Sequence, residues 1–81
     1  MNFSDALTSM KNRHVVARDG WNGKGQWIAL INPSFGISVP EWGTMVQPLS
    51  PFIVIKTADG KAIPWVASQT DILADDWVIV S

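Results

Sequence analysis

The first hydrophobic pattern along the chain has the spacing of an amphipathic helix. Phe3, Leu7 and Met10 recur at intervals that place their side chains on one helical face. Ser4 stands at the start of this run, where its side-chain oxygen can accept a hydrogen bond from a free backbone N–H, as an N-cap does. We therefore predict a helix over residues 4 to 12, with its apolar face against the core.

The pattern then changes to the alternation that is typical of strands. Residues 14 to 18 (HVVAR) and 26 to 31 (QWIALI) predict two strands, and the second is apolar on both faces. Residues 19 to 25 (DGWNGKG) contain two dipeptides that favour tight turns, so the two strands should form an antiparallel hairpin. Trp21, inside this turn, is either a surface on which a ligand stacks or a lid over the edge of the core.

A long irregular segment is predicted over residues 32 to 51, where four of the five prolines lie. Loops of this length are uncommon in so small a domain and are usually functional. Phe35, Trp42 and Met45 would be exposed here unless they pack on a ligand, on a neighbouring subunit or on their own domain. The simpler alternative is a loop that folds back as a flap over the core.

A second hairpin follows this segment. Residues 52 to 57 (FIVIKT) predict a strand, and an Asp-Gly turn over residues 58 to 61 leads into a return strand over residues 61 to 66. Pro64 lacks the N–H that a central strand must donate. The return strand is therefore predicted at an edge of the sheet or interrupted at Pro64.

The C-terminal segment predicts a short helix and a last strand. Ser68 and Asp71 have the side-chain oxygens and the spacing that suit a helix N-terminus, so the helix should cover residues 69 to 75. A terminal strand is predicted over residues 77 to 80. The sum is an α+β fold, a small antiparallel sheet of about five strands with two short helices, in a single domain over residues 1 to 81.

Length and composition narrow the class of protein. A chain of 81 residues has a marginal core, so we expect oligomerisation to stabilise it. The net charge is −1 without any cluster of basic residues, which argues against polymeric nucleic acid as a partner. The chain has no cysteine, no secretory signal and no stretch near the roughly 18 apolar residues of a membrane span. We therefore expect a cytoplasmic protein without membrane contact.

Catalytic chemistry has little support in the sequence. His14 is the single histidine and the chain has no cysteine, so His14 would have to be the base that activates a nucleophile. Nothing in the sequence around His14 indicates this role. Asp71 is explained as a helix cap, and Asp75 and Asp76 fit a solvated helix end. A metal site needs several oxygen ligands that point at one ion, and the spacing of these aspartates does not indicate such an arrangement. We predict no enzyme, no cofactor and no metal site.

Binding of a small nucleotide-like ligand has better support. The sequence contains five tryptophans and no tyrosine; Trp77 and Trp27 are predicted to be core residues. Trp21 and Trp65 lie at loop ends, where each can stack on a planar base. Hydrogen-bonding side chains stand beside them in the sequence: Asn22, Lys24, Ser68, Gln69, Thr70 and Asp71.

Three stretches also resemble a known family: MNFSDAL, RDGWNGKGQWIAL and PFIVIKTADGKAIPWVASQTDILADDWVIV. Together they span nearly the whole chain and are similar to the phage-encoded Thoeris anti-defence proteins of the second type. The most specific parts are the R-x-G-W-N-G-K turn and the P-W-x-x-S-Q-x-D-x-L-A-x-D-W segment. Before the first strand the family pattern leads us to expect a glycine and basic residues, whereas this chain has Asn12, Arg13 and His14.

The resemblance implies a sponge that captures cyclic ADP-ribose isomers made by bacterial immune TIR-domain enzymes and holds them uncleaved, in the cytoplasm of the host. It implies homo-oligomers, typically tetramers, with ligand sites at subunit junctions, and for some members capture of cyclic dinucleotides. The positions of this chain that match the ligand-binding motifs of the family are Trp21, Asn22, Trp65, Ser68 and Asp71. Gln69, Thr70 and Lys24 would add polar contacts to ribose, base or phosphate. Residues 32 to 51 are the variable part of the family, so Phe35, Trp42 and Met45 receive no role from it.

Two other functions remain open from the residues. One is a structural phage or prophage module whose tryptophans serve only an oligomer interface. The other is a small nucleotide hydrolase, which the lack of an acid, base or metal constellation makes the weaker hypothesis.

Overall fold

The computed structural model describes residues 1–22, 24–32 and 50–81. Most of the irregular segment predicted over residues 32 to 51, with Phe35, Trp42 and Met45, lies outside the described residues. The α+β prediction is confirmed: within these residues, five strands form one antiparallel sheet in the order β4-β3-β2-β1-β5, accompanied by two helices. The elements are α1 (Phe3–Lys11), β1 (Val16–Arg18), β2 (Trp27–Ile31), β3 (Phe52–Lys56), β4 (Ala62–Pro64), α2 (Gln69–Leu73) and β5 (Trp77–Ile79).

Helix α1 begins one residue earlier than predicted, and its N-cap is Asn2 rather than Ser4. The Asn2 side-chain oxygen accepts a hydrogen bond from the Asp5 backbone N–H at 2.9 Å. Asparagine caps helices as well as serine does, and Asn2 occupies the position from which its side chain reaches the first turn. Ser4 lies inside the helix, where its backbone oxygen accepts from the Thr8 hydroxyl at 3.1 Å.

The end of α1 is closed by a residue with a left-handed backbone. Asn12 is the C-cap, and Arg13 follows it with φ 69°. The Arg13 N–H donates to the Met10 carbonyl and the His14 N–H donates to the Ser9 carbonyl, both at 3.0 Å. These two bonds define a Schellman motif, which usually places glycine at the left-handed position. The departure from the expected glycine therefore puts an arginine into a backbone conformation that is costly for a side chain.

The β3–β4 hairpin follows the prediction. Gly60 adopts φ 89° in the turn, and the Thr57 N–H donates to the Lys61 carbonyl at 2.7 Å. Strand β4 lies at an edge of the sheet, as the lack of an N–H on Pro64 requires. The return strand ends at Pro64, although the Trp65 N–H still donates to the Ile53 carbonyl at 2.9 Å.

The core lies between one face of the sheet and helix α1. Its largest fully buried side chains are Trp77, Met10, Ile28 and Val16. The prediction for Trp77 is confirmed, since it is 0% exposed. The prediction for Trp27 is wrong: Trp27 precedes the buried Ile28, so alternation turns its half-buried ring to the opposite face, where Lys56 Nζ lies 6.0 Å from the ring centre.

Helix α2 is shorter than predicted. It ends at Leu73, because Ala74 has an extended backbone with ψ 150°, and the chain then enters β5 at Trp77. Across the described parts of the chain, no helix has the length and apolar character needed to span a membrane.

Candidate functional site

Trp77 is the centre of an aromatic cluster formed by Phe3, Trp21, Trp65 and Trp77. The ring centres of Phe3 and Trp21 both lie 5.4 Å from that of Trp77, and that of Trp65 lies 6.2 Å away. Trp21 and Trp65 meet Trp77 nearly edge-on, at 78° and 87°, a favourable geometry for aromatic pairs. The fold thus brings the two predicted stacking tryptophans against the same buried ring, and each remains half-buried.

An ion-pair network borders this cluster. The Arg18 guanidinium donates to Asp71 at 2.9 Å and to Asp76 at 2.8 Å, and these three side chains are about two thirds or more buried. Asp76 also accepts from the Gly20 N–H at 2.9 Å. A Cβ at Gly20 would lie 2.7 Å from the Asp76 carboxylate, so this close approach requires glycine.

The network holds both carboxylates in their charged form. Burial alone would raise the pKa of Asp71, but hydrogen bonds from Arg18, Trp21 and Ser68 outweigh it, and the pKa lies below its ordinary value. The hydrogen bond from Arg18 lowers the pKa of Asp76 against an opposing effect of burial. In return, hydrogen bonds to Asp76 and Asp71 raise the pKa of Arg18. The three groups therefore stay ionised together at neutral pH.

Trp21 joins the network to the aromatic cluster. Its indole Nε1–H donates to the Asp71 carboxylate at 3.1 Å, while its ring packs on Trp77. Of the two alternatives for Trp21, the lid over the edge of the core describes its position in the structure. The part of the ring surface that stays exposed is accessible to a ligand.

The Asp71 side chain does not cap helix α2 as predicted. Its backbone N–H donates to the Ser68 Oγ at 3.1 Å, which confirms Ser68 as the N-cap of α2. The Asp71 carboxylate turns away from its own helix toward Arg18 and Trp21, and its backbone carbonyl accepts from Trp77 Nε1 at 2.9 Å. Asp71 thus connects helix α2 to two tryptophans and an arginine. The first helical turn keeps little capacity for an anion, because it carries this carboxylate and its Asp71 N–H is already bonded.

The other predicted polar residues are exposed. Gln69 and Thr70, in the first turn of α2, are exposed, as is the cap Ser68. Asn22 directly follows Trp21 in the turn and is exposed, and Lys24 is exposed two residues further on. Contacts with Trp77 and Asp71 bring Trp21, Trp65 and Ser68 together. Asn22, Lys24, Gln69 and Thr70 are exposed polar residues that lie near them in the sequence.

Sequence reasoning missed Arg18 and misplaced Asp76. Asp76 was expected at a solvated helix end, but α2 stops before it, and its carboxylate is about two thirds buried against Arg18. The available signal was an arginine at the end of an otherwise apolar strand, since a half-buried guanidinium needs a carboxylate partner. Asp75, in contrast, is exposed as expected. Within residues 1–22, 24–32 and 50–81, no group of three or more His, Asp or Glu residues is arranged to hold a metal ion.

These features define a small α+β domain with an aromatic cluster and a bordering ion-pair network. The chain matches the model of the Thoeris anti-defense 2-like domain over residues 1–80, and it belongs to this family. It is also 42% identical over 87 residues to Thoeris anti-defense 2 of Bacillus phage SP01, with 100% of this chain and 96% of that protein covered. The predicted family is therefore confirmed, and membership supports a role in phage anti-defence.

Proposed function

We propose that this protein binds cyclic ADP-ribose isomers, and also cyclic dinucleotides, and holds them uncleaved in the cytoplasm of the bacterial host. The immune effector that needs this signal then stays inactive. Membership in an anti-defence family is the observation that carries the proposal. Asp71 and Asp76 both form ion pairs with Arg18, so neither carboxylate is available as a general acid or base. This arrangement supports capture without catalysis.

The proposed site is the surface around Trp21 and Trp65. Both rings rest on the buried Trp77 and keep part of their faces accessible, which suits stacking on a base. Ser68, Gln69 and Thr70 supply hydrogen bonds to ribose and base edges, and Asn22 and Lys24 supply hydrogen bonds to phosphates.

Fixed side chains favour tight binding at this surface. The Trp21 indole is held by Asp71, and Asp71 in turn is held by Arg18, so Trp21 is already ordered before a ligand arrives. Binding then costs less conformational entropy than it would for mobile rings. Asp71 acts in this proposal by positioning Trp21, and Trp65 is the principal stacking residue.

Oligomerisation completes the proposed site. Val66, which precedes helix α2, and Leu73, the last residue of that helix, are 89% and 75% exposed, and they lie close in sequence to Trp65 and Ser68. Large apolar side chains exposed to this extent are typical of contact surfaces. We propose a homotetramer in which these residues bury against a second subunit and the ligand lies at the junction.

Ligand release after denaturation tests the capture itself. The protein is incubated with a cyclic ADP-ribose isomer, washed, heat-denatured, and the supernatant is analysed by mass spectrometry. We expect the intact cyclic compound. Recovery of ADP-ribose would identify a hydrolase instead, and retention of no nucleotide at all, with no binding heat for cyclic dinucleotides either, would favour a purely structural module.

Replacing Trp65 tests the assignment of the site. Trp65→Ala should weaken ligand binding by about 1 to 3 kcal/mol if the ring stacks on a base. Trp27→Ala is the matched control, since Trp27 is equally half-buried but lies on the opposite face of the sheet. Isothermal titration on the folded fraction of each variant gives the comparison. Equal losses of affinity would remove Trp65 from the site.

Native mass spectrometry tests the assembly. We expect tetramers, and we expect Leu73→Glu to reduce them to smaller species because a charge cannot be buried unpaired in an apolar contact. A variant that stays tetrameric would show that α2 lies outside the interface.

A further inference from the structure

Asp76 bonds the turn that carries Trp21 at two successive backbone positions. The Asp19 N–H donates to the Asp76 carbonyl at 3.0 Å, and the Gly20 N–H donates to the Asp76 carboxylate at 2.9 Å. The Trp21 N–H then closes the turn on the Arg18 carbonyl at 3.2 Å. Three consecutive N–H groups of the turn therefore have acceptors, and two of these acceptors belong to one residue that is distant in the sequence.

The side chain of Trp21 is fixed separately from its backbone. Its indole Nε1–H donates to the Asp71 carboxylate at 3.1 Å, and its ring centre lies 5.4 Å from that of Trp77. The Arg18 guanidinium joins the two holding points, because it donates to both carboxylates. Trp21 is thus held at the ring by Asp71 and at the backbone by Asp76, and both aspartates lie in the short segment that leads from α2 into β5.

The Asp76 carboxylate is not suited to contact the ligand itself. Its Oδ1 accepts from Arg18 Nε at 2.8 Å, and its Oδ2 accepts from the Gly20 N–H. Both oxygens therefore already have donors, and a carboxylate repels the phosphates of a nucleotide ligand. Any effect of Asp76 on binding has to pass through the turn.

Gly20 shows how closely the turn approaches this carboxylate. The described glycines with a positive φ are Gly25 and Gly60, so the backbone conformation at Gly20 does not itself require glycine. A Cβ on Gly20 would lie 2.7 Å from Asp76 Oδ2, whereas non-bonded carbon atoms pack at about 3.5 to 4.0 Å. The glycine at this position therefore serves the contact with Asp76 and not the conformation of the turn.

We propose that Asp76 is a positioning residue of the capture surface, which sets the orientation of the Trp21 ring through the Gly20 N–H. This inference rests on the proposed function, because the oriented ring is the one on which the ligand would stack. Without the bond to Gly20, the turn gains conformations in which the indole leaves Asp71. Ordering the ring again then costs conformational entropy when the ligand binds.

Gly20→Ala tests the contact without removing a charge. The added Cβ meets the Asp76 carboxylate, so the turn or the carboxylate moves and the Gly20 N–H loses its acceptor. In isothermal titration, affinity for a cyclic ADP-ribose isomer should fall about threefold to tenfold. Gly60→Ala is the matched control, since it also places alanine at a turn glycine but meets nothing within 4 Å, and it should leave the affinity unchanged. Unchanged affinity in Gly20→Ala, or equal losses in both variants, would overturn the proposal.

The indole resonances test the positioning without any ligand. Trp21 Nε1–H bonds the Asp71 carboxylate and Trp77 Nε1–H bonds the Asp71 carbonyl, so the two protons report on two atoms of one residue. In Gly20→Ala we expect the Trp21 indole proton to shift and to exchange faster with solvent, while the Trp77 indole proton keeps its NMR signal. Equal shifts of both protons would indicate a general loosening, and an unmoved Trp21 signal would indicate an unaffected ring; either result would contradict the role of Asp76.

A double variant distinguishes positioning from a general loss of stability. Asp76→Ala removes both carboxylate oxygens, so a Cβ at Gly20 no longer meets them. On the folded fraction, Asp76→Ala should lower the affinity at least as much as Gly20→Ala does, and Gly20→Ala should add no further loss in the Asp76→Ala background. Additive losses would show that the two residues act independently. If the parent protein binds no cyclic nucleotide, the proposed function fails, whereas the indole resonances still decide whether Asp76 positions Trp21.

Discussion

The two ends of the sheet are stabilised in different ways. At the β1–β5 end, Arg18, Trp21 and Trp77 each donate a side-chain hydrogen bond to Asp71, from positions 53, 50 and 6 residues away in the sequence. In the β3–β4 turn the side-chain hydrogen bonds are local: the Thr57 hydroxyl bonds Asp59 and the Lys61 backbone, at separations of two and four residues. The Asp71 contacts thus join distant segments at the β1–β5 end, whereas the contacts of the β3–β4 turn join only residues of the turn itself.

This difference indicates which substitutions act on the whole fold. A residue that joins distant segments stabilises all of them, because folding is cooperative in a domain of this size. A residue in a local turn mainly changes the cost of forming that turn. Ranked by expected effect, changes at the β1–β5 end should therefore come before changes at the β3–β4 end.

The largest effect is expected at the centre of the aromatic cluster. Trp77→Ala removes a side chain that is 0% exposed, and truncating a buried tryptophan costs about 3 to 5 kcal/mol. Small domains have a total stability of about 5 to 15 kcal/mol, so much of the chain should unfold. Urea denaturation followed by circular dichroism measures the loss. A smaller loss for Trp77→Ala than for the half-buried Trp27→Ala would contradict the position given to the core.

The next effect is expected at the ion-pair network. Arg18→Met leaves Asp71 and Asp76 partly buried without their cation, and the unfolding midpoint should fall by several degrees. Lys61→Met removes the cation of an exposed pair with Asp59, whose atoms are 3.8 Å apart, and should leave the midpoint nearly unchanged. Thermal unfolding of the two variants gives a direct comparison of the ends. Similar midpoints would show that the Arg18 network adds no more than a surface pair.

Acid should weaken the β1–β5 end specifically. The pKa values of Asp71 and Asp76 lie below their ordinary range in the folded state, so these groups bind fewer protons folded than unfolded. Their stabilising contribution is complete above the unfolded pKa of about 3.9 and is lost as pH falls through the lower folded values. Unfolding curves at a series of pH values should show this loss below about pH 4. In Asp71→Asn the acid dependence should be smaller, and an unaltered profile would exclude Asp71 as a source.

The smallest effect is expected in the hairpin turn. Gly60 has φ 89° and nothing lies within 4 Å of the position of an added Cβ, so Gly60→Ala meets backbone strain but no steric clash. The expected cost is about 1 to 2 kcal/mol. Amide hydrogen exchange should show that the β3–β4 amides lose more protection than those of β5. Uniform loss across the sheet would show that the two ends are more strongly coupled than their contacts indicate.

Features with a local cause could be predicted from the sequence. The strand at the edge was predicted because Pro64 lacks an N–H, and the Ser68 cap because its oxygen is placed to accept from the first helical turn. Asn2 was missed because two residues near the same helix start can both act as caps.

The Arg18 network had no comparable local signal. Its partners lie 53 and 58 residues away, so only the register of β1 on β5 brings them together. For the same reason, the sequence predicted that Trp21 and Asp71 belong to one binding site but did not predict the hydrogen bond between them. The position of Trp27 was missed because both faces of β2 are apolar, and composition alone does not say which face packs on helix α1.

The register of β2 on β3 also bears on how such proteins diversify. Ile31, the last residue of β2, and Phe52, the first of β3, are direct partners, so the two strand ends lie side by side. An insertion between them leaves this register unchanged as long as its ends meet, and each doubling of an inserted flexible linker costs only about 0.6 kcal/mol. Evolution can therefore exchange this connection while the sheet stays constant, and a protein engineer can use the same position to insert a foreign peptide.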